Sequence, residues 1–110
     1  MDAITEHRQH ADAVRRAATG GTGESAAAIR EAVLTRAAGG PAIAEPYDAL
    51  ARQVGEAAYR VTDEQVASVR AAEGSDKGAF EIVMAASIGA GLSRWEQAIQ
   101  VIDEAGDAPS

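Results

Sequence analysis

Residues Tyr59–Glu104 read YRVTDEQVASVRAAEGSDKGAFEIVMAASIGAGLSRWEQAIQVIDE. Near its start stands Thr62, a residue type whose hydroxyl accepts a hydrogen bond from a helix's first turn. Gln65 follows at the reciprocal capping-box position, three residues on. Val66, Val69 and Ala72 then recur at helical spacing up to Gly74, and glycine leaves a helix readily in the left-handed conformation. Ser75 or Asp76 caps the next helix. Along it Phe80, Val83, Met84, Leu92, Trp95, Ile99 and Ile102 mark one apolar face, while Ile82, Ala85, Ala86 and Gly89 mark another. No charge interrupts Ile82–Ser93. A helix apolar on two faces belongs at the centre of a bundle. Gly89 and Gly91 each weaken it by about 1 kcal/mol against alanine, so either the helix bends there or a neighbouring backbone comes close.

Upstream, a helix is predicted to start near Glu45 or Pro46, because proline lacks only an N–H that the first turn does not use. Tyr47, Leu50, Val54, Ala57 and Val61 give it a narrow apolar seam. Before that, Ser25 is a suitable N-cap for a helix carrying Ala26, Ile29, Ala32, Val33 and Ala37, which Gly39-Gly40-Pro41 stops. Residues Ile4 to Ala18 form a weaker helix with a poor face of Ile4, Ala11, Val14 and Ala18. No strand pattern or internal repeat is visible. The fold class is therefore all-α, a bundle of four to five helices. It divides into a weakly helical segment and linker (1–24), a helical domain (25–105) and a tail (106–110) expected to be disordered.

A length of 110 residues sets one domain as the expectation. Core material is thin: aromatics make up 4% of the chain, and alanine supplies much of the 46% apolar content. Alanine favours helix but buries little area, so a small domain of this kind tends to complete its core against copies of itself. Net charge is −7, and all of it falls in residues 45–110, where twelve acids face five bases. Such a surface repels phosphate backbones and anionic membranes, so neither nucleic acid nor a membrane is an expected partner. The uncharged run is too short for a membrane span, which needs about 20 residues. The first residues contain no apolar run of the secretory type. With no cysteine there is no disulfide, thiolate metal site or thiol nucleophile. A cytoplasmic protein without cofactor or metal is the simplest expectation.

Four residues are candidates for chemistry: Glu56, Tyr59, Glu81 and Arg94. Glu56 lies on the helix with the seam, and Glu81 borders the uncharged run. A carboxylate half buried there has a raised pKa and can move protons. Arg94 either orients a substrate or pairs with one of the two carboxylates, and Tyr59 either donates its hydroxyl in a pocket or simply packs. Trp95 reads as core or interface rather than a ligand platform. His7 and His10, three apart, share a helix face with Asp12 or Glu6 nearby. Two histidines do not make a metal site, and with no apolar surroundings they read as a solvated pair. Thr19–Ser25 (TGGTGES) approaches a phosphate-binding loop, but Ala18 and Glu24 stand where glycine and lysine are required. Gly21, Gly23 and Ala26 fit a loose dinucleotide pattern without its preceding strand. A flexible linker plus helix cap is the reading.

The order AYRVTDEQVASVRAAEGSDKGAFEIVMAASIGAGLSRWEQAI (Ala58–Ile99) resembles the C-terminal half of the AhpD-like superfamily, which contains alkylhydroperoxidase D and carboxymuconolactone decarboxylase. The resemblance lies in the helix ending at Gly74, the SDKGAFEIV start of the next helix and the ASIGAGLSR continuation. It implies an all-α fold that assembles as dimers, trimers or hexamers. In the family's peroxidase branch a CxxC pair opens the helix before the glycine, with a histidine four residues later and a glutamate upstream. Counting back from Gly74, those positions hold Tyr59, Thr62 and Val66. Disulfide exchange needs a thiolate, so that chemistry is not expected. The decarboxylase branch, which binds an anionic lactone, needs no cysteine pair. Basic groups for it are Arg52, Arg60, Arg70, Lys77 and Arg94, scattered along the chain. Two functions follow as expectations. One is a non-redox oligomeric binding or accessory protein that takes a small apolar or acidic ligand. The other is a decarboxylase- or lyase/isomerase-type enzyme using Glu81 or Glu56.

Overall fold

The computed structural model describes residues 3–107. These form five α-helices and no strand: α1 (Ala3–Thr19), α2 (Ala27–Ala37), α3 (Tyr47–Ala57), α4 (Asp63–Glu73) and α5 (Asp76–Asp107), with a 3-10 turn at Ala58–Arg60. The all-α class expected from the sequence is the one observed. No helix among the described residues is long and apolar enough to cross a membrane.

The bundle is organised around α5. Its 32 residues make a rod of about 48 Å, in a molecule whose longest extent is 55 Å. All four other helices touch it. One face of α5 carries Ile82, Ala85, Ala86 and Ala90, spaced for a single helical stripe and all buried. Val33 and Ala37 of α2, Leu50, Ala51 and Val54 of α3, and Val69 of α4 close the core over it. Leu50, Ile82, Val33 and Val69 are its largest fully buried side chains, each worth about 1.5–3 kcal/mol. Small residues set the spacing. A Cβ on Gly89 would run into the Leu34 carbonyl of α2, and one on Gly55 into the Ala37 carbonyl. Gly89 is thus the point where a neighbouring backbone comes close. Gly91 has nothing within 4 Å of where its Cβ would stand.

The caps around α4 are as the sequence indicates. The Gln65 N–H donates to the Thr62 hydroxyl at 3.1 Å, and the Thr62 N–H donates to the Gln65 side chain at 3.0 Å. Gly74 ends α4 with φ 81°, in the left-handed region. Ser75 then accepts the Gly78 N–H at 3.0 Å and opens α5.

Other expectations are corrected. Helix α3 starts at Tyr47, with Pro46 at its N-cap after a cis Glu45–Pro46 bond. Its seam stops at Ala57, because the 3-10 turn intervenes before Val61. Helix α2 is preceded by Ala26, which makes no side-chain cap, and Ser25 is engaged elsewhere. Helix α1 forms where the weaker helix is expected and packs on α5: Ala11 is buried, the His7 ring meets Trp95 edge-on at 5.5 Å, and Arg15 reaches Glu96 at 3.2 Å. Helix α5 continues through Gly106 to Asp107, two residues that the sequence reading assigns to the tail. Residues 108–110 lie outside the described residues.

The largest correction concerns the outer face of α5. Phe80 is 62% exposed, Met84 43% and Ile102 61%. Three short helices cover the inner face, and α1 lies to one side, against Leu92, Trp95, Glu96 and Ile99, with its last turn near Phe80 and Met84. Within one chain, α5 is buried on one face and not on two.

Candidate functional site

The structure separates the four candidate residues. Glu81 lies beside the loop between α1 and α2, Glu56 and Arg94 line a cleft further along the bundle, and Tyr59 is 83% exposed on the 3-10 turn.

Glu81 is held by the TGGTGES loop. The Glu24 N–H donates to one carboxylate oxygen at 3.0 Å. The Ser25 N–H and hydroxyl donate to the other at 2.8 and 2.6 Å. Behind them Arg30, only 4% exposed, donates to the Ala18 carbonyl at 3.1 Å, to the Ser25 carbonyl, and to the Ser25 hydroxyl at 2.9 Å. Its guanidinium stands 3.6 Å from Glu81. The loop also reaches forward, where the Ser75 hydroxyl donates to Glu24 at 2.8 Å. Gly23 lies so close that a Cβ there would meet both Arg30 and Glu81 at 2.7 Å. The stretch is therefore an ordered clamp and not a flexible linker.

This geometry reverses the expected titration of Glu81. Burial alone would raise its pKa. The Ser25 hydroxyl, the Ser25 and Glu24 N–H groups and Arg30 all favour the charged form and bring it down to about 2. A carboxylate so stabilised is a poor proton carrier near neutral pH. Its oxygens are occupied in joining the first third of the chain to α5.

The second cleft, of about 350 Å³, lies where α2, α3 and α5 meet. Arg36, Arg52, Glu56, Arg94, Ser93 and Gln97 supply its polar groups. Arg36 donates from Nε to Asp48 at 2.8 Å and from Nη1 to the Gly40 carbonyl at 3.0 Å. Asp48 also accepts the Ile43 N–H at 3.0 Å. That backbone bond, followed by Arg36, holds the Asp48 carboxyl below its usual range. Arg52 Nη1 stands 3.8 Å from Glu56 on the same helix. Arg94 pairs with neither Glu56 nor Glu81: Nη2 donates to the Gly55 carbonyl at 2.9 Å, a cation on the last turn of α3. Glu56 itself is exposed. The cleft thus gathers three guanidinium groups, of which Arg94 alone forms no ion pair among the described residues.

His7 and His10 are both exposed, in keeping with a solvated pair. His7 and His10 line a shallow groove between α1 and α5 with Ala11, Val14, Leu92 and Trp95. No group of three metal-capable side chains occurs among the described residues. Elsewhere the Tyr47 hydroxyl donates to Glu73, joining α3 to α4. Burial, with Glu73 adding to it, pushes the Tyr47 hydroxyl up to about 12.

Sequence reasoning did not single out Arg30, Ser25 or Arg36 as functional. The available signal was an arginine inside the apolar period of α2, one turn after a serine. A charged residue in that setting needs a buried partner. No protein-family model matches the chain, and neither a curated protein nor a solved structure matches it.

Proposed function

We propose that the chain is a non-redox, non-catalytic member of the AhpD-like group, acting in the cytoplasm as an oligomeric binding or accessory protein. The observation that carries the reading is the uncharged outer face of α5, with Phe80, Met84 and Ile102 exposed in a chain of net charge −7. An apolar face of that length marks a surface that another molecule covers. Two further facts support it. Glu81 is committed to the loop clamp and holds its charge. The positions where the resemblance places thiols and a histidine carry an exposed tyrosine, a helix cap and a partly buried valine. Native mass spectrometry is the test. The expected mass is a multiple of 11.3 kDa, with no turnover of an organic hydroperoxide. A monomer at tens of micromolar, or metal-free hydroperoxide turnover, overturns the reading.

A second reading, a decarboxylase- or lyase/isomerase-type enzyme, draws support from the cleft that holds Glu56 beside Arg94, Arg52 and Arg36. Arg94 would take the carboxylate of a small acidic ligand and Glu56 would move a proton. Glu81 and Tyr59 stand outside that cleft. Titration calorimetry with a panel of small dicarboxylates tests it. Binding that Arg94→Ala abolishes supports it, and absence of heat with every member overturns it.

A further inference from the structure

We propose that two copies of the chain pair antiparallel through the outer face of α5, with the two-fold axis passing beside Gly91. The inference rests on the oligomeric reading above and names its interface.

The face has an internal symmetry. Its residues stand at 80, 84, 87, 91, 95, 98 and 102, with steps of four, three, four, four, three and four. The series reads the same in both directions about Gly91, and it repeats every eleven residues. An eleven-residue period keeps the stripe on one side of an almost straight helix. Turning one copy over about Gly91 sets Phe80 against Ile102, Met84 against Ala98, Ser87 against Trp95, and Gly91 against itself. Large meets large at the two ends, large meets small in between, and nothing meets nothing at the centre. That is the shape two helices need to lie close along their whole length.

Gly91 supplies an independent argument. Gly89 and Gly55 are spent within the chain on close contacts with carbonyls of α2. Gly91 lies in the middle of α5 with nothing within 4 Å of its missing Cβ. A glycine there weakens the helix and gains nothing in one copy. Against a second α5 it removes the side chain at the point of closest approach.

Charge fits the same arrangement. No charged residue stands on the series itself, and the guanidinium of Arg94 at its edge is held away on the Gly55 carbonyl. Turning about Gly91 sets Lys77, the chain's single lysine, opposite Ala105 of the second copy and two residues from Asp103. Neither Lys77 nor Asp103 forms an ion pair among the described residues.

Area is sufficient. The series spans about 33 Å of helix. Helix α1 lies alongside, and His10, Val14 and Ala17 continue the uncharged surface. Two neighbouring helices are roughly 20 Å across. The face is therefore on the order of 600 Å² per copy, close to the ~800 Å² per partner of a standard stable interface.

The absence of cysteine makes the test clean. Met84→Cys and Ala98→Cys are prepared singly, then oxidised alone and as a mixture. In the proposed pair, residue 84 of one copy faces residue 98 of the other, while like positions are roughly 21 Å apart along the axis. The expected result is a disulfide-linked dimer in the mixture and none in either variant alone. Self-linkage of each variant alone, or a dimeric mass with no linkage in the mixture, overturns this interface and leaves the oligomeric reading standing. A monomeric mass for the unmodified chain overturns both. Gly91→Glu is the second variant. Space around Gly91 lets the fold persist, so helix content should be unchanged while dimer affinity falls on the order of 100-fold. Unchanged affinity overturns the proposal.

Discussion

Ser25 holds Glu81 twice, with its N–H 2.8 Å and its hydroxyl 2.6 Å from the same carboxylate oxygen. The two residues are 56 positions apart in sequence. Their contact fixes the loop after α1 to the start of α5, and it places a charge-dependent fastening at that joint. The folded pKa of Glu81 is about 2, below the ordinary 4.5. A carboxylate with a depressed folded pKa contributes stability above its unfolded pKa and loses it as pH falls through the folded one. The urea midpoint should therefore decline between about pH 5 and pH 2. Glu81→Gln should lower the midpoint at pH 7 and flatten that decline. An identical acid limb in the variant would show that Glu81 does not carry this part of the linkage.

Arg30 depends on the same joint. It is buried, and it serves the Ala18 and Ser25 carbonyls as well as Glu81. Truncating one member of a buried pair leaves the other uncompensated, and costs about 3–5 kcal/mol. Arg30→Ala should sit near that range at neutral pH. Arg30→Lys, with one ammonium in place of a planar fork, should recover only part of it. Equilibrium denaturation of both variants measures the difference.

Gly89 and the Leu34 carbonyl leave no room for a methyl group. Alanine there gains about 1 kcal/mol of helix propensity, but it forces α2 and α5 apart at a cost of about 1–3 kcal/mol for overpacking. Gly89→Ala should be net destabilising. A variant as stable as the parent would mean that α2 shifts without loss.

Tyr47 reports on the junction of α3 and α4. Its hydroxyl pKa is raised to about 12 in the folded state, against 10.0 for a free tyrosine. A raised folded pKa gives stability that is fully present below the unfolded value and is lost as pH rises through the folded one. Stability should fall between about pH 10 and pH 12, and Tyr47→Phe should remove that component. The lost hydrogen bond to Glu73 should cost about 1 kcal/mol at neutral pH. Alkaline denaturation followed by circular dichroism distinguishes the two proteins.

Local signals in the sequence suffice where the partners are near neighbours. Thr62 with Gln65, Gly74, and Ser75 before Gly78 are contacts within four residues, and their chemistry is complete in that window. The inner stripe of α5 was legible for the same reason, because period fixes a face. What lay out of reach was long-range. Ser25 has the composition of a cap, and only the fold reveals that Glu81, on a helix 56 residues away, takes its hydroxyl and leaves α2 with Ala26. Arg94 read as a partner for Glu56 or Glu81, whereas the end of α3 offers it a carbonyl. The outer stripe of α5 was recognised as apolar, but periodicity does not say whether the covering surface belongs to the same chain. Of the candidate site, the sequence named Glu56 and Arg94, which share a cleft, and Glu81 and Tyr59, which do not. It did not single out Arg36, whose guanidinium lies in the same cleft.

The rod-like reach of α5 gives the molecule unequal halves. Up to Ala90 it is gripped by α2, α3 and α4 through a core of fully buried side chains. Beyond Ala90, Ile99 is its one buried apolar side chain among the described residues; the ends of α2 and α3 still touch it at Ser93 and Arg94, and α1 lies along it further on. Opening is then staged. Helix α1 and the last turns of α5 should exchange their amide protons through a shallow, local excursion, while the inner half releases them only on global unfolding. Any second body seated on the outer face would slow exchange first in the half that the chain alone holds least firmly.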